Sequence, residues 1–266
     1  MSADRVVVTV ADHVATVTLS RPAKHNALDR AMFEGILAAA AQVGATPGVR
    51  AVVLHGDGPS FCSGLDVGSL MADGDALQVI ADRDGHRANI AQRVCTDWID
   101  LPVPVIAAIH GNCFGGGLQI ALGADVRIVA PDASLSVMEA RWGLVPDMGI
   151  TQTLPRLVRG DVARELTYTA RRVSGEEGVR LGLATRVAGD PLAEATALAR
   201  EIAGRSPDAV RAAKRLYGET WDGRDPDAAL LLETELQTAL IGSPNQIAAV
   251  TAGLSGQAPE FADPAM

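Results

Sequence analysis

PVIAAIHGNCFGGGLQIALGADVRIVA, residues 104 to 130, holds two apolar strand-like runs, PVIAAIH (104–110) and ADVRIVA (124–130), around a glycine-rich turn and an apolar helix. A strand, a helix and a second strand within so short a span indicate a parallel sheet buried by helices. Three consecutive glycines, Gly115, Gly116 and Gly117, stand directly ahead of LQIAL. Glycine costs a helix about 1 kcal/mol relative to alanine, so three of them at a helix start call for a reason. One reason is tight packing of the helix on a strand. The other is close approach of a ligand to a helix N-terminus, where amide N–H groups lack intrahelical acceptors and attract negative charge.

Working outward, AVVLH (51–55) is a further strand candidate, and VVVTV (6–10) and VATVTLS (14–20) read as a hairpin across Ala11, Asp12 and His13. LDRAMFEGILAAAAQV (28–43) carries a helical pattern. Beyond about residue 150 the strand signal stops and helix punctuation repeats: Ser174 with Glu177 as a capping box, Pro191 before LAEATALAREIAG, and Pro207 in the first turn of SPDAVRAAKRLYGET. The C-terminal third is expected to be all helix. Residues 72–88, ADGDALQVIADRDGHRA, are charged and weakly patterned, which suggests a mobile surface helix or loop near a site.

With 266 residues and 48% hydrophobic content the chain can bury a sizeable core. No apolar run reaches the roughly 18 residues of a membrane span, and MSADRVVVTV does not open like a signal peptide. A net charge of −9 argues against general nucleic-acid binding. Cys62, Cys95 and Cys113 cannot all pair and show no CxxC spacing, which fits a reducing cytoplasm. The five histidines lack HExxH or paired spacing, so no metal site is expected.

GNCFGGG has the wrong spacing for GxGxxG, and GxxxxGK[ST] is absent, which disfavours a nucleotide-phosphate loop. A second stretch, FCSGLDV (61–67), again sets a glycine, Gly64, after a strand and a turn. The amides of Leu65 and Gly116 can together form an oxyanion hole, since backbone donors are preorganised for charge developing on a carbonyl oxygen.

These stretches, together with SRPAKHNALD (20–29), MEARWGLVPDMGITQTLPRLV (138–158) and SPDAVRAAKRLY (206–217), all in the same order, resemble the crotonase, or enoyl-CoA hydratase/isomerase, superfamily over nearly the whole chain. The resemblance implies an α/β fold: a crotonase-like ββα spiral core with a CoA-thioester site over residues 1–200, and a helical trimerisation region over 201–266. It implies a homotrimer or hexamer and a substrate acyl-CoA whose thioester oxygen meets Leu65 and Gly116, without any further cofactor. The early loop, Lys24 and Ala23 included, together with Ser63 and Gly64, falls where the family binds CoA. Lys24 is equally readable as a solvated turn lysine.

The family's hydratases use two glutamates to hold one water. Carried over separately, those positions fall on Gln119 and Glu139, so one carboxylate is missing. Asp147, eight residues after Glu139, matches the spacing of the dienoyl-CoA isomerase branch, although that branch also has an acid at the position of Gln119. Simple enoyl-CoA isomerases need only the carboxylate matching Glu139. Isomerisation is therefore the expectation, with hydration or another crotonase-type lyase or hydrolase reaction, and a non-catalytic CoA-thioester-binding subunit, as alternatives. At the residue level other readings stay open. Glu139 can pair with Arg127 or Arg141, Asp147 can cap the helix that follows it, Gln119 can be a solvated helix residue, and Trp142 can be pocket wall or core. His110 and Cys113, three apart, are a poor nucleophile–base pair because no third group orients them.

Overall fold

A computed structural model describes residues 5–69, 76–81, 83, 85–221, 223 and 225–264. Part of the weakly patterned stretch 72–88 lies outside the described residues; within it, Ala76–Ala81 is a short helix.

The main sheet begins with a hairpin. β1 (Val6–Ala11) pairs antiparallel with β2 (Val14–Leu19) through Asp12 and His13, both at positive φ (50° and 65°). That is the backbone of a tight turn whose twist matches the strands it joins. From β2 onward every neighbour in this sheet is parallel, through β3 (Ala51–Gly56), β4 (Val105–Ile109), β6 (Val126–Val129) and β9 (Arg186–Val187). Every residue of β4 is buried, as expected of a strand with covered faces on both sides.

A smaller sheet joins β5 (Asn112–Phe114), β7 (Ser134–Ser136) and β8 (Val173–Ser174), and Cys62 extends it by a parallel bridge to Cys113. After β4 the chain enters β5 and then a helix, Gly116–Leu122; after β6 it enters β7. This alternation between the two sheets is the spiral of ββα turns. The strands β8 and β9 correct the expectation of an all-helical C-terminal third. Each is two residues long, too short to leave a periodic signal, and each pairs at a sheet edge, β8 with β7 and β9 with β6.

One face of the main sheet carries the largest core, where Arg30–Ala45 and Ile90–Asp100 bring Phe33, Ile36, Val94 and Trp98. The first of these helices starts two residues later than the pattern suggests, because the Asp29 side chain accepts from Met32 N–H as its cap. On the other face, Pro191–Ala203 presents Ala195, Ala199 and Ala203 to Ala51, Val53, Ile106 and Ile128. Alanine at those positions lets the helix approach closely. Ser174 accepts from Glu177 N–H as expected, but the Glu177 carboxylate goes to Arg171, so only half of the box is made.

Candidate active site

Gly115 follows β5 and caps the helix Gly116–Leu122 with φ 51° and ψ −120°, a backbone state that a Cβ opposes. Its own N–H is spent on Ser136 O at 2.9 Å. The other two glycines are there for space. A Cβ at Gly116 would stand 2.7 Å from Met148 Sδ, and one at Gly117 would stand 2.5 Å from Cys62 O. Tight packing is therefore real, and it coexists with an open donor. Gly116 N–H lies in the first turn and has no acceptor among the described residues.

Leu65 faces it from the other segment. Leu28 bridges residues 64–66 in parallel fashion, its N–H donating to Gly64 O at 2.8 Å and its carbonyl accepting from Asp66 N–H at 3.0 Å. In such a bridge the N–H of the central residue, Leu65, points away from Leu28, and it too has no acceptor among the described residues. Gly64, at φ 90°, brings the two segments together, since a Cβ there would lie 2.8 Å from Phe114 O and 3.8 Å from Gly116 N. The segment is stapled by Asn26, fully buried, whose Nδ2 donates to the carbonyls of Asp57, Ser60 and Phe61. Neither Asn26 nor the Leu28 bridge was signalled by the sequence, because their partners lie more than 30 residues away.

Both segments border one small cavity of about 100 Å³. Glu139 lines it, while Val67, Phe114, Met138, Trp142 and Leu144 make apolar walls. Trp142 is 62% exposed and belongs to the wall, not to the core. Glu139 opens a 3₁₀ turn, Glu139–Trp142, yet is only 8% exposed. It makes no ion pair among the described residues; the Arg127 guanidinium instead donates to Leu183 O and Ala124 O. Gln119 is no solvated helix residue: it is 1% exposed, and its Nε2 donates to Glu139 Oε1 at 2.6 Å. Oε2 of Glu139 is buried without a hydrogen-bond partner. Burial pushes the Glu139 carboxyl above the ordinary carboxylate range, and the negative charge of Asp147 adds to that. The Gln119 amide and nearby backbone amides offset it only in part.

Asp147 is not in this cavity. It borders an adjoining polar recess with Arg87, Gln92 and Thr96, and partial burial raises its carboxyl as well. Nor does it cap the next helix, Ile150–Thr153, which starts from Gly149 without a side-chain cap. Ala23 and Lys24 are exposed in the turn Pro22–Lys24 and are not among the residues bordering the cavity; Ser63, which is, donates its Oγ to Lys24 O at 3.4 Å. His110 is bonded to Gly58 O at 2.8 Å, and burial raises the Cys113 thiol well above its ordinary value, so the two form no nucleophilic pair. A larger cavity of about 320 Å³ lies beside Asp125 and Lys214, but that lysine already donates to Asp125, Trp98 O and Val103 O.

Among the described residues no helix is long and apolar enough to cross a membrane. The model of the enoyl-CoA hydratase/isomerase family matches residues 9–261. The chain is 34% identical to the probable enoyl-CoA hydratase of Rhodobacter capsulatus over 253 residues, 95% of each protein. It is 36% identical over 180 residues to the mitochondrial Δ(3,5)-Δ(2,4)-dienoyl-CoA isomerase of Rattus norvegicus, a match that takes in 65% of the chain and 55% of that protein. The crystal structure of an enoyl-CoA hydratase from Bacillus anthracis superposes with a TM-score of 0.87 at 31% identity, covering 97% of this chain and 98% of the other. The chain belongs to the enoyl-CoA hydratase/isomerase family.

Proposed function

We propose that this protein moves a double bond within an unsaturated acyl-CoA thioester, an enoyl-CoA or dienoyl-CoA, with Glu139 removing and returning the proton. The observation that carries the reading is the buried Glu139, the one carboxylate bordering the cavity among the described residues, beside the free amides of Leu65 and Gly116, with an amide, Gln119, where a second acid would serve hydration.

In this reaction the thioester oxygen accepts from both N–H groups. Glu139 Oε2 takes a proton from a carbon next to the double bond, and the C–H electron pair enters the conjugated system as a dienolate whose charge rests on that oxygen. The protonated carboxyl then returns a proton at another carbon of the conjugated chain while the electrons flow back. Atoms and charge balance with no co-reactant. The raised pKa suits a group that must hold its proton between the two steps. Hydration needs one group to deprotonate water while another protonates carbon, and the Gln119 amide does not titrate at neutral pH.

Hydration of a 2-enoyl-CoA is the second reading, favoured by the hydratase relative matched along 95% of its length. Purified protein incubated separately with 2-enoyl-, 3-enoyl- and 3,5-dienoyl-CoA, with chromatographic product analysis, decides between them. Conjugated products from the 3-enoyl or dienoyl thioesters support isomerisation. Rapid 3-hydroxyacyl-CoA formation with no isomerisation overturns it. For a dienoyl thioester the returning step passes from Glu139 to Asp147: a protonated Asp147 gives its proton to the remote carbon, Glu139 keeps the one it removed, and the two carboxyls reset by exchange with solvent, so Asp147→Asn is expected to slow this substrate more than the 3-enoyl thioester.

A further inference from the structure

The Gln119 side chain is held at both ends. Met148 N–H donates to its Oε1 over 2.8 Å, and its Nε2 donates to Glu139 Oε1 over 2.6 Å, with the groups buried. A backbone N–H only donates, so the amide oxygen must face Met148 and the amide nitrogen must face Glu139. The two orientations of this amide are therefore not interchangeable. Met148 is itself fixed: it is 2% exposed, with its sulfur against Gly116. Gln119 sits three residues after Gly116 on the same short helix, so one packed unit carries both an open amide and this bridge.

For Glu139 the consequence concerns its two oxygens. Oε1 faces an N–H whether the carboxyl is ionised or neutral, and a proton on Oε1 would point at the hydrogens of Nε2. The proton of the neutral carboxyl therefore belongs on Oε2, the oxygen with no other partner. We propose that Gln119 is a positioning residue that dedicates Glu139 Oε2 to proton transfer, making the carboxyl a single-oxygen shuttle with a fixed direction. This rests on Glu139 being the proton-transfer group.

The test compares Gln119→Met, Gln119→Asn and Glu139→Gln with wild type by kcat, KM and the pH dependence of kcat on the substrate that wild type isomerises. Methionine keeps the length without the donor, whereas asparagine keeps the amide but is one methylene too short to span both partners. For both Gln119 variants kcat is expected to fall on the order of 10-fold to 100-fold, the scale of a hydrogen bond to a charged group, with KM little changed. The acidic limb of the kcat profile is expected to move to higher pH, because the lost N–H stabilised the ionised carboxylate. Should the methionine variant not fold, the asparagine variant, which keeps a polar group in the buried site, carries the test. Folded Gln119 variants with wild-type kcat and pH profile, beside an inactive Glu139→Gln, overturn the positioning role and leave the proposed function standing. A fall in kcat with an unmoved profile overturns it as well, since general loosening of the site would do that. Full turnover by Glu139→Gln overturns the proposed function and this inference together.

Discussion

Glu139 is a carboxylate whose surroundings disfavour its charge, and that conflict is measurable in two ways. Glu139→Gln keeps the shape and can still accept from Gln119, but it cannot move a proton. Its turnover is expected to drop by on the order of 10² to 10⁴, the range for a positioned acid–base group, while acyl-CoA affinity changes little. The second consequence is on stability. Because burial raises the Glu139 pKa, the folded protein keeps a proton that the unfolded chain has already lost. Stability therefore falls as pH rises from the ordinary carboxylate range through the raised folded value. Glu139→Gln removes that loss, so its thermal midpoint should exceed that of wild type at about pH 8 and converge with it below about pH 4, the ordinary glutamate range. A variant less stable than wild type at the higher pH would refute the buried-charge account. Gln119→Glu addresses the missing acid: two carboxyls at that separation share a proton, and measurable hydration of 2-enoyl-CoA is the expected gain. Glu139, Gly116 and Leu65 were legible in the sequence because their segments resemble a known family. The burial of Gln119 was not. A glutamine two residues past a glycine run looks the same whether solvated or clamped, and its anchor, the Met148 amide, is 29 residues away.

The unit that matters most among the elements is the run from β5 through Gly115 into the helix Gly116–Leu122. Its start was readable because three glycines in a row are costly, but the reason for each differs, and only coordinates separate them. Gly116→Pro beside Gly116→Ala tests the donor, since both add the Cβ that crowds Met148 and only alanine keeps the N–H. Proline is tolerated at a first helical position but has no N–H, so turnover is expected to fall by on the order of 10² or more, the scale for removing one oxyanion donor. Thermal unfolding reports whether the variant remains folded; if it does and full activity persists, the shared-oxyanion reading fails. The main strands were legible because β-branched and apolar runs have a signature of their own. The bridges of Leu28 to Leu65 and Cys62 to Cys113 have none, since a single-residue pairing leaves no run of residues to carry a period. They nevertheless aim the Leu65 amide. The site depends on features that local sequence records least.

At the scale of the molecule the sheet core is well covered, but the last helices are not. Pro207–Thr220, Pro226–Leu240 and Pro244–Ser255 follow one another, and the first two share a small core of Ala212, Leu232 and Leu236. Pro226–Leu240 exposes Leu230 and, at 71%, Leu231; the last helix exposes Ile247, Val250 and, at 85%, Leu254; Ile241 is exposed between them. At the end of the first helix Tyr217 stacks on Trp221, the residue just past it, at 4.6 Å, and both are exposed. Scattered surface hydrophobics are ordinary, but this many on three consecutive helices exceed what one isolated face requires. We propose that residues 201–266 form the contact between copies of the chain, as a homotrimer or hexamer. Sedimentation velocity at micromolar concentration should then show a species of several times the 27.6 kDa chain mass. A stable interface buries on the order of 1,600 Å² in total and is most apolar at its centre, so a charge placed there is costly to desolvate. Leu231→Lys and Leu254→Lys together should shift the population toward the single chain, whereas lysine at the equally exposed Val145, outside this region, should not. A monodisperse single chain for wild type would mean that these leucines face solvent or another partner, and the assignment of residues 201–266 to self-association would fall.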